Sequence, residues 1–154
     1  MKKNILKTIA AMLILAACFS CGKDDKSCSC GEGNENNEFV SLEGTQWKLA
    51  GIMDVETCNL KELEPKDCET CYTIEFNTNS NMAQGKSVRN AILFHISLPL
   101  PTPIFIHITP MDYENEDVQL FYDAMETVTS YTVTKNELKM CYNEGRNYLL
   151  FRKQ

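Results

Sequence analysis

Cysteines are the residues of this 154-residue chain whose number and spacing could do chemistry. Cys58, Cys68 and Cys71 fall within fourteen residues of one another, and an even number of cysteines in an exported chain is typical of disulfides. We expect Cys58 to bond to Cys68 or Cys71, closing a loop worth on the order of 3 kcal/mol. The remaining cysteines are Cys18, Cys21, Cys28, Cys30 and Cys141.

The C-x-x-C spacing of Cys68 and Cys71 could also hold a redox-active dithiol or two zinc thiolates. However, a redox motif of this kind opens a helix, whereas this one leads into a predicted strand. A structural zinc site needs four ligands, and residues 39–154 contain no second C-x-x-C and no paired histidines. The two histidines, His95 and His107, lie in apolar strands, where a structural role is expected.

No nucleophile or phosphate-binding motif accompanies these residues, since G-x-S-x-G, H-E-x-x-H and the P-loop are all missing from the sequence. The sequence therefore predicts a protein that is not an enzyme, with no catalytic residues, no metal ligands and no cofactor. With 15 basic and 21 acidic residues, the formal charge is -6, which opposes binding to nucleic acid.

The N-terminus has the pattern of an export signal: Lys2 and Lys3 precede an apolar stretch that ends at Ala17. The residues from Leu15 to Cys18 resemble the bacterial lipobox, in which the final cysteine is lipidated. We predict a signal peptide over residues 1–20, and the membrane as a partner through a lipid anchor.

A second cysteine of this region fits a lipid anchor better. Cys21 is followed by Lys23, Asp24 and Asp25, which resembles the surface-export signal of lipoproteins in Bacteroides-type bacteria. We therefore favour Cys21 as the lipidated residue, with Cys18 as the alternative. The predicted location is the outer membrane, with the protein exposed at the cell surface.

Residues 21–38 contain no large apolar side chain after the cysteine, so they cannot bury enough surface to offset the entropy of ordering them. We predict a flexible tether over this stretch and a folded domain over residues 39–154. Within that domain most apolar residues recur with period two, which predicts strands. Val118, Phe121, Tyr122 and Met125 recur instead at helical spacing, behind Asn115 as the cap.

About eight short strands and one helix predict an all-β fold, a small antiparallel β-barrel. The order of elements resembles the META (HslJ-like) domain of bacterial envelope lipoproteins, and a lipocalin-like barrel is the neighbouring possibility. The resemblance spans residues 42–153, and it implies architecture and location but no agreed catalytic activity. The segments that carry it are Gly44–Leu49, Tyr72–Phe76, Leu120–Val133, Glu137–Met140 and Tyr148–Phe151.

Several functions fit these observations. The leading hypothesis is a surface-anchored, non-enzymatic binding or accessory domain for a small ligand or a protein partner. An exported protease inhibitor would need a rigid protruding loop, for which residues 57–71 and 98–103 are candidates. The other hypotheses are a thiol-redox or metal-dependent enzyme using Cys58, Cys68 and Cys71, and a purely structural envelope protein.

Overall fold

The computed structural model describes residues 28–31, 40–77, 82–95, 105–108 and 115–154, with the backbone alone for residues 95 and 105–108. The predicted signal peptide and both candidate lipidated cysteines, Cys18 and Cys21, lie outside the described residues. So do the predicted export signal at residues 23–25 and the 98–103 connection.

The elements are β1 (Gln46–Asp54), β2 (Asn59–Lys61), β3 (Thr73–Phe76), β4 (Met82–Lys86), β5 (Ala91–His95), β6 (Phe105–Ile108), α1 (Glu116–Glu126), β7 (Ser130–Val133), β8 (Glu137–Tyr142) and β9 (Asn147–Lys153). One antiparallel sheet dominates the described residues. Its strands follow the spatial order β6-β5-β4-β3-β1-β9-β8-β7, and β2 pairs with the end of β1. The helix α1 contacts β6 from one edge of the sheet and β8 and β9 from the other half. The sheet therefore curls around α1 as a half-barrel, which confirms the predicted all-β class with one helix.

Strand β1 is central, because β9 pairs along its whole length while β3 and β2 pair with its two halves on the other side. Trp47, Leu49 and Ile52 are buried, as the sequence predicts. A bulge between Leu49 and Gly51 shifts the alternation by one residue, which is why Ile52 faces the core. At Gly51 (φ 157°) an added Cβ would lie 2.6 Å from the carbonyl oxygen of Lys61, so the bulge also lets β2 approach closely.

Helix α1 begins where the sequence predicts. The Asn115 side chain caps it by accepting a hydrogen bond from the backbone N–H of Val118 at 3.0 Å. The helix ends at Glu126, and Thr127 is its C-cap, whose hydroxyl donates to the carbonyl of Asp123 at 2.8 Å. All four predicted apolar positions are buried against the sheet: Val118, Phe121, Tyr122 and Met125.

Aromatic residues fill the space between α1 and the concave face of the sheet. Trp47 is fully buried, and its indole N–H donates to the hydroxyl of Thr45 at 2.7 Å. Tyr72 meets Phe121 edge to face with ring centroids 5.3 Å apart. The helix is thus part of the core, and the side chains on the opposite, outer face of the sheet remain for other contacts.

Candidate functional site

A groove of about 560 Å³ lies on the outer face of strands β1, β3, β4 and β5. In β3 to β5 the side chains that alternate with its lining residues are buried in the core, which places the groove on the face turned away from α1. Glu69, Thr70 and Thr73 form its rim next to the Cys68–Cys71 turn. The other side chains that line it include Gln46, Glu75, Gln84, Lys86, Leu93 and Gln154.

Most of the side chains that line the groove carry hydrogen-bond donors or acceptors. Glu75 and Gln84 are direct cross-strand partners, and the Gln84 amide donates to the Glu75 carboxylate at 3.0 Å. This contact orients both side chains in the absence of a ligand. Leu93 is the cross-strand partner of Gln84, is 37% exposed and adds a small apolar surface to the groove. The groove can therefore contact a ligand that has hydroxyl or amide groups beside an apolar face.

Reactive residue types do not line the groove: among its described residues there is no histidine, serine or cysteine. The lining charges are also nearly balanced, since Lys86 lines the groove together with Glu69 and Glu75. This composition suits the binding of a ligand without a large net charge.

A smaller polar cavity of about 220 Å³ lies at the other side of the Cys68–Cys71 turn, beside Lys48 and Tyr72. The Lys48 ammonium donates to the carbonyl oxygen of Cys71 and lies 5.7 Å from the centroid of the Tyr72 ring. Burial lowers the pKa of Lys48. These contacts fix the turn to β1 and account for the position of the ammonium without a ligand.

The structure pairs the cysteines differently from the expected connectivity. Cys58 is bonded to Cys28, and Cys68 is bonded to Cys71, so the expected bond from Cys58 to Cys68 or Cys71 is wrong. Cys68 and Cys71 lie in one tight turn with Cα atoms 5.4 Å apart, a distance that suits the disulfide between them. Cys58 lies in the turn between β1 and β2, where the N-terminal segment reaches it.

The third disulfide joins Cys30 to Cys141, with Cα atoms 6.0 Å apart and a sequence separation of 111. From the sequence, Cys28 and Cys30 are predicted to lie in a flexible tether, whereas in the structure two disulfides hold residues 28–31 against the body. We call the Cys28–Cys58 and Cys30–Cys141 bonds the N-terminal disulfides.

Residues 28–31 cover an apolar cluster on the outer face of β8 and β9. Cys30 packs against Cys141, Tyr148 and Leu150, which are all buried although they point away from α1. The ammonium of Lys139 donates to the carbonyl of Ser29 at 3.3 Å and lies 5.0 Å from the centroid of the Tyr148 ring. This outer cluster excludes water from around the Cys30–Cys141 bond.

The exposed segment of residues 57–71 is fixed at several points. Both of its ends carry disulfides, and Leu63 is buried in its middle. Asp117 of α1 accepts hydrogen bonds from the Lys61 ammonium at 2.8 Å and from the backbone N–H of Glu64 at 2.9 Å. These two bonds, with that from Lys61 contributing most, lower the pKa of Asp117.

The two histidines lie on neighbouring strands, where Leu93 pairs with His107 and His95 pairs with Phe105. The side chains of both histidines lie outside the described residues. Within the described part of the chain, no three His, Cys, Asp or Glu residues form a group that could hold a metal ion. The described residues also include no helix that is long and apolar enough to cross a bilayer.

The chain is similar in sequence to a lipoprotein from another bacterium and similar in fold to a solved structure. No family model matches the chain. The structure of a DUF4847 family protein from Bacteroides vulgatus superposes with a TM-score of 0.53 at 13% identity, over 71% of this chain and 92% of that chain, which is a likeness of fold. A Tannerella forsythia protein named "Putative lipoprotein" is 38% identical over 155 residues, which cover 99% of this chain and 97% of that protein. This chain therefore belongs to the same lipoprotein family as the Tannerella forsythia protein.

Proposed function

We propose that this protein is a lipoprotein anchored through Cys21 in the outer membrane and exposed at the cell surface, and that it binds a neutral oligosaccharide in the outer-face groove without catalysing a reaction. The observation that carries the proposal is the groove itself, because its walls combine amide and carboxylate groups with little net charge. Sugar hydroxyls both donate and accept hydrogen bonds, and they match such walls.

The details of the groove support this ligand class. Each glutamine side chain has two donors and one acceptor, and Gln46, Gln84 and Gln154 all line the groove. The apolar surface of Leu93 can contact the C–H face of a sugar ring. Among the described lining residues one lysine accompanies two carboxylates, and this charge disfavours a strongly anionic ligand.

The binding experiment uses the mature lipoprotein in detergent micelles and a panel of neutral oligosaccharides, with binding measured by calorimetry. Gln84→Ala should weaken binding of the best sugar about fivefold to tenfold, because it removes hydrogen bonds worth about 1 kcal/mol or more. Gln119→Ala is the matched control, since Gln119 is an exposed glutamine on α1 outside the groove. Equal binding by both variants, or binding of peptides instead of sugars, would reject the proposal.

The anchor is supported by the membership of a lipoprotein family and by the residues that follow Cys21. Mass spectrometry of the mature N-terminus should find an acylated Cys21. Cys21→Ala should leave an unprocessed precursor, whereas Cys18→Ala should be acylated normally. The opposite pattern would place the lipid on Cys18, and an unmodified mature chain would reject the anchor altogether.

One observation favours protease inhibition as a second candidate function. Residues 57–71 form an exposed segment with a disulfide at each end and a buried leucine between them, and such a rigid loop suits the active site of a protease. Inhibition of a panel of secreted proteases, lost when Lys61→Ala and Lys66→Ala are combined, would support this candidate. Cleavage of the loop without inhibition would reject it.

We also propose the META-like relationship at the level of topology. It is supported by the chain order at the C-terminus, where α1 is followed by β7, β8 and β9 in consecutive antiparallel pairing. An experimental structure whose complete sheet superposes on META domains would test this relationship, and a different strand order in residues 96–114 would contradict it.

A further inference from the structure

We infer that the two N-terminal disulfides determine which end of the domain faces the membrane, and that they turn the groove away from it. This inference rests on the proposed lipid anchor at Cys21. It concerns the direction in which the chain leaves the body, which the strand order and the disulfides fix together.

The groove and the N-terminal disulfides lie at opposite ends of β1. Gln46, the first residue of β1, lines the groove. Asp54, the last, leads into the turn that contains Cys58, and it pairs with Asn147 beside the strand end that carries Cys141. Eight residue steps at about 3.3 Å separate the two ends, a distance of roughly 26 Å.

The domain itself begins at the groove end. Leu42 is buried in the core, and the backbone N–H of Gly44 donates to the carbonyl of Phe76 at 2.9 Å, immediately before β1. If no disulfide held the N-terminal segment, the chain from the membrane would therefore join the body near Val40, close to the groove. The groove end would then lie nearer to the lipid surface.

The disulfides move this attachment point to the other end of the body. Cys28 is bonded to Cys58 and Cys30 to Cys141, so a chain that starts at a lipidated Cys21 meets the body after seven residues. Seven residues span at most about 25 Å when fully extended. Without the two bonds, the free chain would continue to residue 40 and could extend to about 65 Å.

The outer cluster explains how the attachment resists rotation. Two bonds two residues apart prevent the segment from rotating about either one, and Cys30 packs against the cluster that contains Tyr148 and Leu150. The short chain from the lipid therefore meets a fixed point, and the turn around Glu56 faces the bilayer. The groove, near the other end of β1, then lies on the side of the body away from the bilayer, where a ligand would arrive.

Fluorescence energy transfer tests this orientation on the full lipoprotein in vesicles of phosphatidylethanolamine and phosphatidylglycerol. A dye is attached through an unnatural amino acid at Glu43 or at Glu56, and the acceptor is carried by the lipid headgroups. These two positions are matched, since both are exposed glutamates in the turns at the two ends of β1. The dye at Glu56 should lie nearer to the lipid surface by roughly 20 Å. Equal distances, or a nearer Glu43, would overturn the inference.

Removing both N-terminal disulfides should reverse which of the two dyes lies nearer to the lipid surface. In a variant with alanine at Cys28, Cys30, Cys58 and Cys141, the dye at Glu43 should become the nearer of the two. In Cys68→Ala/Cys71→Ala, which removes a disulfide away from the N-terminal segment, the original order should persist. Loss of the original order in this control would overturn the inference, and the wild-type measurement decides it if the fourfold variant does not fold.

Two further measurements test the orientation and the lipid anchor at Cys21 separately. Peptide mapping without reductant should recover the Cys28–Cys58 and Cys30–Cys141 peptides, and other pairings would overturn the inference whatever the lipid status. Protein that is unacylated and does not float with vesicles would reject the anchor at Cys21, and with it the orientation. Acylated, vesicle-bound protein with Glu43 nearer would reject the orientation alone.

Discussion

The Cys30–Cys141 and Cys68–Cys71 disulfides close loops of very different length, with sequence separations of 111 and 3. The chain-entropy relation gives about 1.6 kcal/mol for the short loop. For the long loop the Cys28–Cys58 bond offers a shorter path of about 85 residues, which still gives about 4.6 kcal/mol. Removing the long-range bond should therefore cost about 3 kcal/mol more than removing the local one.

The two bonds make a matched pair for this measurement. Cys141 and Cys71 are 1% and 2% exposed, and each is bonded to a half-buried partner. The packing cost of replacing both members with alanine should therefore be similar for the two bonds, and it cancels in the comparison.

The assay is urea unfolding without reductant, followed by the fluorescence of the single, fully buried Trp47. Cys30→Ala/Cys141→Ala should have a free energy of unfolding about 3 kcal/mol below that of Cys68→Ala/Cys71→Ala. Values within about 1 kcal/mol of each other would refute the view that the long-range bond stabilises the fold by restricting the unfolded chain.

Three further predictions concern single residues. Gly51→Ala should lower the free energy of unfolding by about 1–3 kcal/mol, because its Cβ would meet a backbone oxygen of β2 at 2.6 Å; an unchanged urea midpoint would contradict this. Leu150→Ala should lower the free energy of unfolding by about 2–4 kcal/mol, because Leu150 is buried in the outer cluster. Leu93→Ala, at an exposed position, should lower it by less than about 1 kcal/mol. Equal losses would show that the outer cluster is not packed. The hydrogen bond from Lys61 lowers the pKa of Asp117, so the ionised carboxylate stabilises the fold above about pH 4, and this contribution is lost as the pH falls through the lowered pKa. Asp117→Asn should therefore lose less stability than wild type between about pH 5 and pH 2, and parallel acid-unfolding curves would contradict the assignment.

Local patterns in the sequence were enough to predict most elements of the fold. Tyr72, Ile74 and Phe76 alternate with polar residues, and all three are buried on one face of β3 and the residue before it. The helical spacing from Val118 to Met125 likewise corresponds to α1. Strand β2 escaped prediction because its three residues are all exposed and carry no alternation.

The outer face of the sheet could not be derived in the same way. The groove is built from polar residues of four strands, and the sequence marks them only as positions that face away from the core. The disulfide partners of Cys28 and Cys30 could not be predicted from the sequence either, because the residues around these two cysteines lack apolar side chains. One signal was present: Tyr148 to Phe151 are four consecutive apolar residues, and such a run is typical of a strand that is covered on both faces.

The separation between Cys30 and Cys141 also has a consequence for how the protein matures. A chain that is exported N-terminus first delivers Cys28 and Cys30 to the oxidising side of the membrane before any of their partners. Cys30 can bond to Cys141 only after almost all of the remaining polypeptide has been exported, and Cys28, two positions away, is a competing partner until then. Correct oxidation thus depends on completion of β8, and a thiol–disulfide isomerase would have its greatest effect on this bond.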